Sequence, residues 1–256
     1  MNVDRLFTVV DRELRTVART RSFLAVGLGF AAVVVGLAWS GGAASYVTTT
    51  LDLLTPVEVL VPAVAVAFGY RAVLGDIDRG EIEMVRTFPV TRAEFVLGVY
   101  LGRAGWLVPV VLLPLAVSGL LVALSGGPGT TVIASHAASD SPLLFVRFVA
   151  LTIAFALVAV AVAVAVSAVA RSVRAAIALG VAALVVLVVG LDLGIVLGLA
   201  GGLDEGAVQW ILAASPNSAY RGLVLETVVQ PVTATGVRTA APVASALGLA
   251  AWLAGA

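Results

Sequence analysis

Glu58, Arg147 and Asp192 each sit inside a long apolar run, where an ionisable side chain can be tolerated only with a reason. An isolated buried charge is costly, so such a group must find a counter-charge, hold a cation or line a wet cavity. Counted from the expected ends of their runs, Glu58 and Arg147 lie five residues in and Asp192 about eight, roughly 12 Å at 1.5 Å per residue. Matched depths predict one ionic cluster of Glu58, Arg147 and Asp192, either a structural lock or part of a gate. Arg71 and Arg103 fall toward the opposite edge, where long basic side chains are expected to snorkel to lipid phosphates.

Other chemistry is scarce. The single histidine, His136 in "ASHAASDSP", has no second ligand nearby, and there is no cysteine, which removes disulfides and thiolate metal sites. Met1 and Met84 are the only thioethers, so no soft-ligand path for copper crosses the chain. Neither HExxH nor GxSxG occurs, which argues against an intramembrane enzyme. The glycine-rich "SGGPGTTV" lacks the Lys-Ser/Thr that would hold phosphates, and no basic patch with interleaved aromatics suggests nucleic acid.

The elements that carry these residues follow from composition. At 61% hydrophobic and a mean hydropathy of +1.12, the chain has more apolar surface than a soluble core can hide. A crossing helix needs about 20 residues, and six apolar runs predict an all-α membrane protein with spans near 22–39, 53–74, 95–124, 142–170, 175–200 and 240–256. The last is cut short at Ala256, as if the sequence continued beyond it. The run "AFALVAVAVAVAVSAVA" alternates like a strand, but its length and lack of polar partners make it a helix. On that helix Ala159, Ala163 and Ser167 form one small-residue stripe, and Ala161 and Ala165 another.

Ten arginines flank one side of these spans and only Arg221 and Arg238 the other, which places the N-terminus in the cytoplasm. Residues 3–20 pattern as an amphipathic interfacial helix, with Val3, Leu6, Phe7, Val10, Leu14, Val17 and Ala18 on one face. Arg12, Arg15 and Arg19 stand on the opposite one with Asp4, Arg5 and Asp11. The pattern and the five later spans argue against a cleaved secretory signal.

One polar island remains, the loop 75–95, "GDIDRGEIEMVRTFPVTRAEF". Glu81 and Glu83 suit the first turn of a short helix, and Pro89 ends it. Thr91 then caps the next helix, with Glu94 three residues on as its capping-box partner. The resulting helix pair presents Glu81, Glu83, Arg86 and Arg92 to a soluble partner.

A basic amphipathic start, six spans and a loop containing "TFPVTRAEFVLGVYLGR" resemble the ABC-2 family of transporter permeases. The match to its pattern runs through Pro89, Val90, Arg92, Glu94, Phe95 and Gly98, with Tyr100 or Arg103 near the usual basic position. "ILAASPNSAYRGLVLE" is also similar to an N-P-x-D-x-x-R segment of the permeases of nitrous-oxide-reductase maturation, although here the proline precedes Asn217 and no aspartate follows. The resemblance implies a membrane subunit of an ABC exporter, with Glu81, Glu83, Arg86, Pro89, Thr91, Arg92 and Glu94 as the ATPase-coupling residues. It implies a cytoplasmic ABC ATPase as partner, ATP and Mg bound there and not on this chain, and a second permease copy or paralogue in a dimer embedded in lipid. The largely apolar interior favours a hydrophobic or amphipathic substrate. A non-transporting membrane scaffold or assembly factor is the alternative, since packing and anchoring explain most apolar residues equally well.

Overall fold

The computed structural model describes residues 3–75, 91–125, 140–200, 212–233 and 242–256, and these contain helices and no strand. In chain order they are α1 (Val3–Arg19), α2 (Arg21–Ser40), α3 (Tyr46–Gly69), α4 (Arg92–Ser125) and α5 (Pro142–Val169). Then come α6 (Val173–Val185), a π-helical segment (Val186–Gly190) and α7 (Leu191–Ala200). α8 (Pro216–Val224), a second π segment (Leu225–Val229), α9 (Gln230–Thr233) and α10 (Pro242–Gly255) complete the order. Among the described residues, five helices are long and apolar enough to cross a membrane: α2, α3, α4, α5 and the continuous stretch Val173–Gly194. The sixth expected span corresponds to α10, an apolar helix of only 14 residues. Glu81, Glu83, Arg86 and Pro89 of the island, and His136, lie outside the described residues.

Helix starts follow the capping chemistry. Thr91 N donates to Glu94 Oε2 (2.9 Å) and Glu94 N to Thr91 Oγ1 (3.3 Å), a reciprocal box that opens α4 at Arg92. α3 opens at Tyr46, seven residues earlier than hydropathy suggests, because Ser45 accepts from Thr48 N and Asp140 accepts from Tyr46 N (2.8 Å) and Val47 N (3.1 Å). Asp140 thereby ties the start of α3 to the start of α5. The added residues include Thr48, Thr49, Thr50 and Asp52, whose polarity hid this end of the span.

Small residues set the helix spacing. On α4, a Cβ at Gly98 would fall 2.6 Å from Val9 Cβ, and one at Gly102 only 2.3 Å from Glu13 Cβ, so α1 lies directly on this glycine face. On α5, Ala159, Ala163 and Ser167 are buried, and Gly69 approaches Ala163 so closely that an added Cβ would sit 2.5 Å away. Ser167 Oγ then accepts from Val73 N (3.0 Å) and Leu74 N (3.2 Å), closing the turn after α3. The first alanine stripe is therefore the α3–α5 seam.

Arg103 is a correction to the sequence reading. It does not reach outward to lipid: its Nε lies 3.0 Å from Glu13 Oε2, and both side chains are buried. Arg12 donates to the other Glu13 oxygen at 3.0 Å, Arg103 stacks over Phe23, and Trp106 Nε1 donates to the Leu14 carbonyl at 2.8 Å. α1 is thus bolted to α4 through a buried acid on its otherwise apolar inner face, while Val3 and Phe7 stay exposed. Of the other interfacial arginines, Arg15 pairs with Asp11 at the surface and Arg19 is exposed in the last turn.

Candidate functional site: a buried charged layer

Glu58 lies twelve residues into α3, about 18 Å along its axis, and its carboxylate is buried. Its depth is near the middle of the helix, well below the edge expected from the sequence, because α3 starts at Tyr46. Pro62 cannot donate an N–H to the Glu58 carbonyl four residues back, which leaves this turn polar as well as charged.

The counter-charge is Arg221. Its Nε donates to Glu58 Oε1 at 2.7 Å and its terminal nitrogen pairs with Glu58 Oε2, the forked geometry that suits guanidinium and carboxylate. Arg147, expected in this role, instead donates to the Thr227 carbonyl (3.3 Å) and is exposed, so it does not join Glu58 and Asp192. Thr227 belongs to the second π segment, whose wider turn changes how carbonyls are satisfied. The physical reason for the substitution is that α8 folds back into the bundle and carries Arg221 to mid-helix depth.

α8 is built for that placement. Ser215 caps it by accepting from Ser218 N, Pro216 occupies its first turn, and Pro216, Asn217, Ala219, Tyr220, Gly222, Leu223 and Val224 are all buried. Tyr220 stacks on Phe155 at 4.7 Å and its hydroxyl meets Thr152 Oγ1 at 2.8 Å. From the other side α10 presses close: a Cβ at Gly248 would fall 2.0 Å from the Ala213 carbonyl oxygen, and Trp252 Nε1 donates to the Ala214 carbonyl.

Asp192 closes the layer. Its carboxylate accepts from Ser215 Oγ (2.7 Å), Ser218 Oγ (2.6 Å) and Asn217 Nδ2 (3.3 Å), which clamps α7 to the N-terminus of α8. The π segment immediately before α7 and the one after α8 both flank this layer, and such turns often mark places where a helix is re-aimed for function. The Arg221 side chain keeps 45% of its surface exposed, a large opening for a guanidinium level with the middle of a span. A charge at that depth faces protein or water and not hydrocarbon.

Sequence reasoning found Glu58 and Asp192 but counted Arg221 as an outer-loop arginine. The signal was present in Ser215-Pro216 followed by an amphipathic stretch, an N-cap with proline in the first turn, but nothing in the sequence states that the helix turns inward.

A bundle of apolar helices around a charged layer, with an amphipathic helix bolted beside it, defines a multi-pass membrane protein. A profile described as ABC-2 family transporter protein matches residues 7–255, and the chain belongs to that family. Among curated relatives, it is 30% identical over 129 residues to the probable ABC transporter permease protein NosY of Stutzerimonas stutzeri, covering 48% of this chain and 47% of that one. It is 32% identical over 105 residues to the protein of the same name from Pseudomonas aeruginosa, covering 38% of each chain. The aligned part thus spans about half or less of the curated relatives' length.

Proposed function

We propose that this chain is the permease subunit of an ABC exporter in the cell membrane. Six helices cross, counting α10, with the N-terminus and loop 75–95 in the cytoplasm, and two copies or two related permeases pair. A separate ATPase binds ATP with Mg and hydrolyses it against the loop. The carrying observation is mechanical: the Thr91–Glu94 capping box, at the end of that loop, fixes the first turn of α4, and α4 is bolted to α1 by Glu13 and Arg103. A push on the loop therefore moves α1 and α4 together. Family membership and relatives that carry the permease name support the same reading.

The charged layer is the proposed gate region. Arg221, half open beside Glu58 and Asp192, lines the route against the second copy, and an amphipathic or hydrophobic substrate passes along the apolar walls around it. The test is affinity purification from native membranes. A P-loop ATPase is expected to co-purify, and the double change Glu83→Arg with Arg86→Glu to reduce its recovery several-fold without lowering the amount of permease. Recovery of no ATPase from native membranes sinks the proposal.

A further inference from the structure

Two neighbouring cavities at the α1 end of the bundle differ in character and share walls. One is an apolar groove of about 240 Å³ between α2 and α4, lined by Leu24, Gly27, Leu28, Trp106, Val110 and Leu113 among others. The second, about 350 Å³, has mixed polar and apolar walls and lies between α1, the start of α2 and the end of α3, with Thr16, Thr20, Ser22, Arg71 and Arg103 around it. Phe23 and Phe68 border both, so the two spaces meet across the same pair of rings, whose centroids are 4.7 Å apart.

The two arginines of the second cavity are not equivalent. Arg103 is committed to the buried pair with Glu13. Arg71 is exposed and makes no ion pair among the described residues, and Ser22, which lines the same cavity, is exposed too. The groove is shaped for a thin apolar occupant: Gly27 leaves room against Val110, while Leu24, Leu28 and Leu113 form an exposed rim open to the bilayer. A partly polar chamber, with a guanidinium that has no ion-pair partner among the described residues, joined to an apolar groove fits an amphiphile. It does not fit a free anion, which would leave the groove empty, or a hydrocarbon, which would leave Arg71 uncompensated.

We propose that this pair of cavities is a binding site for one anionic glycerophospholipid, its phosphate at Arg71 and Ser22 and one acyl chain in the groove against Trp106. It lies in the cytoplasmic leaflet in the orientation proposed above, but the site stands whether or not the chain is an exporter. Because α1, α2, α3 and α4 all border it, the lipid fills the space at which the bolted α1–α4 pair meets the rest of the bundle.

Trp106 provides the readout. The chain has four tryptophans, and changing Trp39, Trp210 and Trp252 to Phe leaves Trp106 as the sole emitter. The full chain in vesicles is titrated with phosphatidylglycerol or phosphatidylcholine brominated on the acyl chains, which quench only on contact. One arginine at a membrane surface corresponds to about a five-fold preference for the anionic lipid. That preference is expected in the parent and is expected to vanish in Arg71→Gln, while Gly27→Leu, which fills the groove, is expected to reduce quenching by both lipids. Equal quenching in the parent, or a preference that survives Arg71→Gln, overturns the proposal. So does a preference abolished by millimolar inorganic phosphate, the mark of a free-anion site. Native mass spectrometry of the unaltered protein gives a second reading that needs no tryptophan changes: retained phosphatidylglycerol is expected to exceed phosphatidylcholine about five-fold, and equal retention overturns the site.

Discussion

At the scale of single residues, the charged layer separates a partner from a bystander. Removing one member of a buried ion pair leaves the other charge uncompensated, which costs more than the net worth of the pair. Glu58 is buried and Arg221 is its forked partner, so Arg221→Ala is expected to destabilise the protein by about 3 kcal/mol, the low end for buried pairs because Arg221 is partly open. Adding Glu58→Gln removes the stranded carboxylate and is expected to recover part of that loss in thermal unfolding. Arg147 is different: it is exposed and holds one carbonyl, so Arg147→Ala and Asp192→Asn are expected to add within about 0.5 kcal/mol. Strong coupling between those two, or strict additivity between Glu58 and Arg221, contradicts the observed pairing.

At the scale of elements, close approach is bought by glycine, and the glycine positions say which helices are joined. Gly102 has Glu13 Cβ where its own Cβ would be, whereas Gly29 on α2 has open space around it. Gly102→Leu is therefore expected to lift α1 off α4, and Gly29→Leu to leave it in place, because α1 cannot give way without breaking the Glu13–Arg103 pair. Trypsin reads this directly through Arg12, Arg15 and Arg19: cleavage within α1 is expected to rise at least several-fold in the first variant and to stay at the parent rate in the second. If both variants are cleaved like the parent, α1 is not held by this face. Much of this level was legible beforehand. The amphipathic period gave α1, and the Thr91–Glu94 spacing gave the start of α4. What escaped were facts of tertiary pairing: hydropathy averages hide the polar first turns of α3, and no local pattern shows that Glu13 faces a helix 90 residues away or that α8 folds inward with Arg221.

At the scale of the whole molecule, the two polar features sit in different parts of the bundle, and α3 and α5 lie between them. α1 rests on α4 and, more lightly, α2, whereas α8 packs on α5 and α10 and touches α3. The links between these groups run through α3 and α5, both of which also pack on α4, and one close approach is Gly69 of α3 against Ala163 of α5, with Ser167 closing the turn beyond it. Local opening in a protein follows such packing units, and hydrogen exchange measures it segment by segment. Glu13→Gln is thus expected to speed exchange in α1 and the first half of α4 while leaving α8 near its parent rate, and Arg221→Ala to do the reverse. Gly69→Leu, which forces α3 and α5 apart, is expected to speed exchange on both sides, because α3 and α5 each pack on both groups. A Gly69 variant that loosens only α3 means the α3–α5 contact does not couple the two groups, and a Glu13 change that loosens α8 as much as α1 means the bundle opens as a single unit.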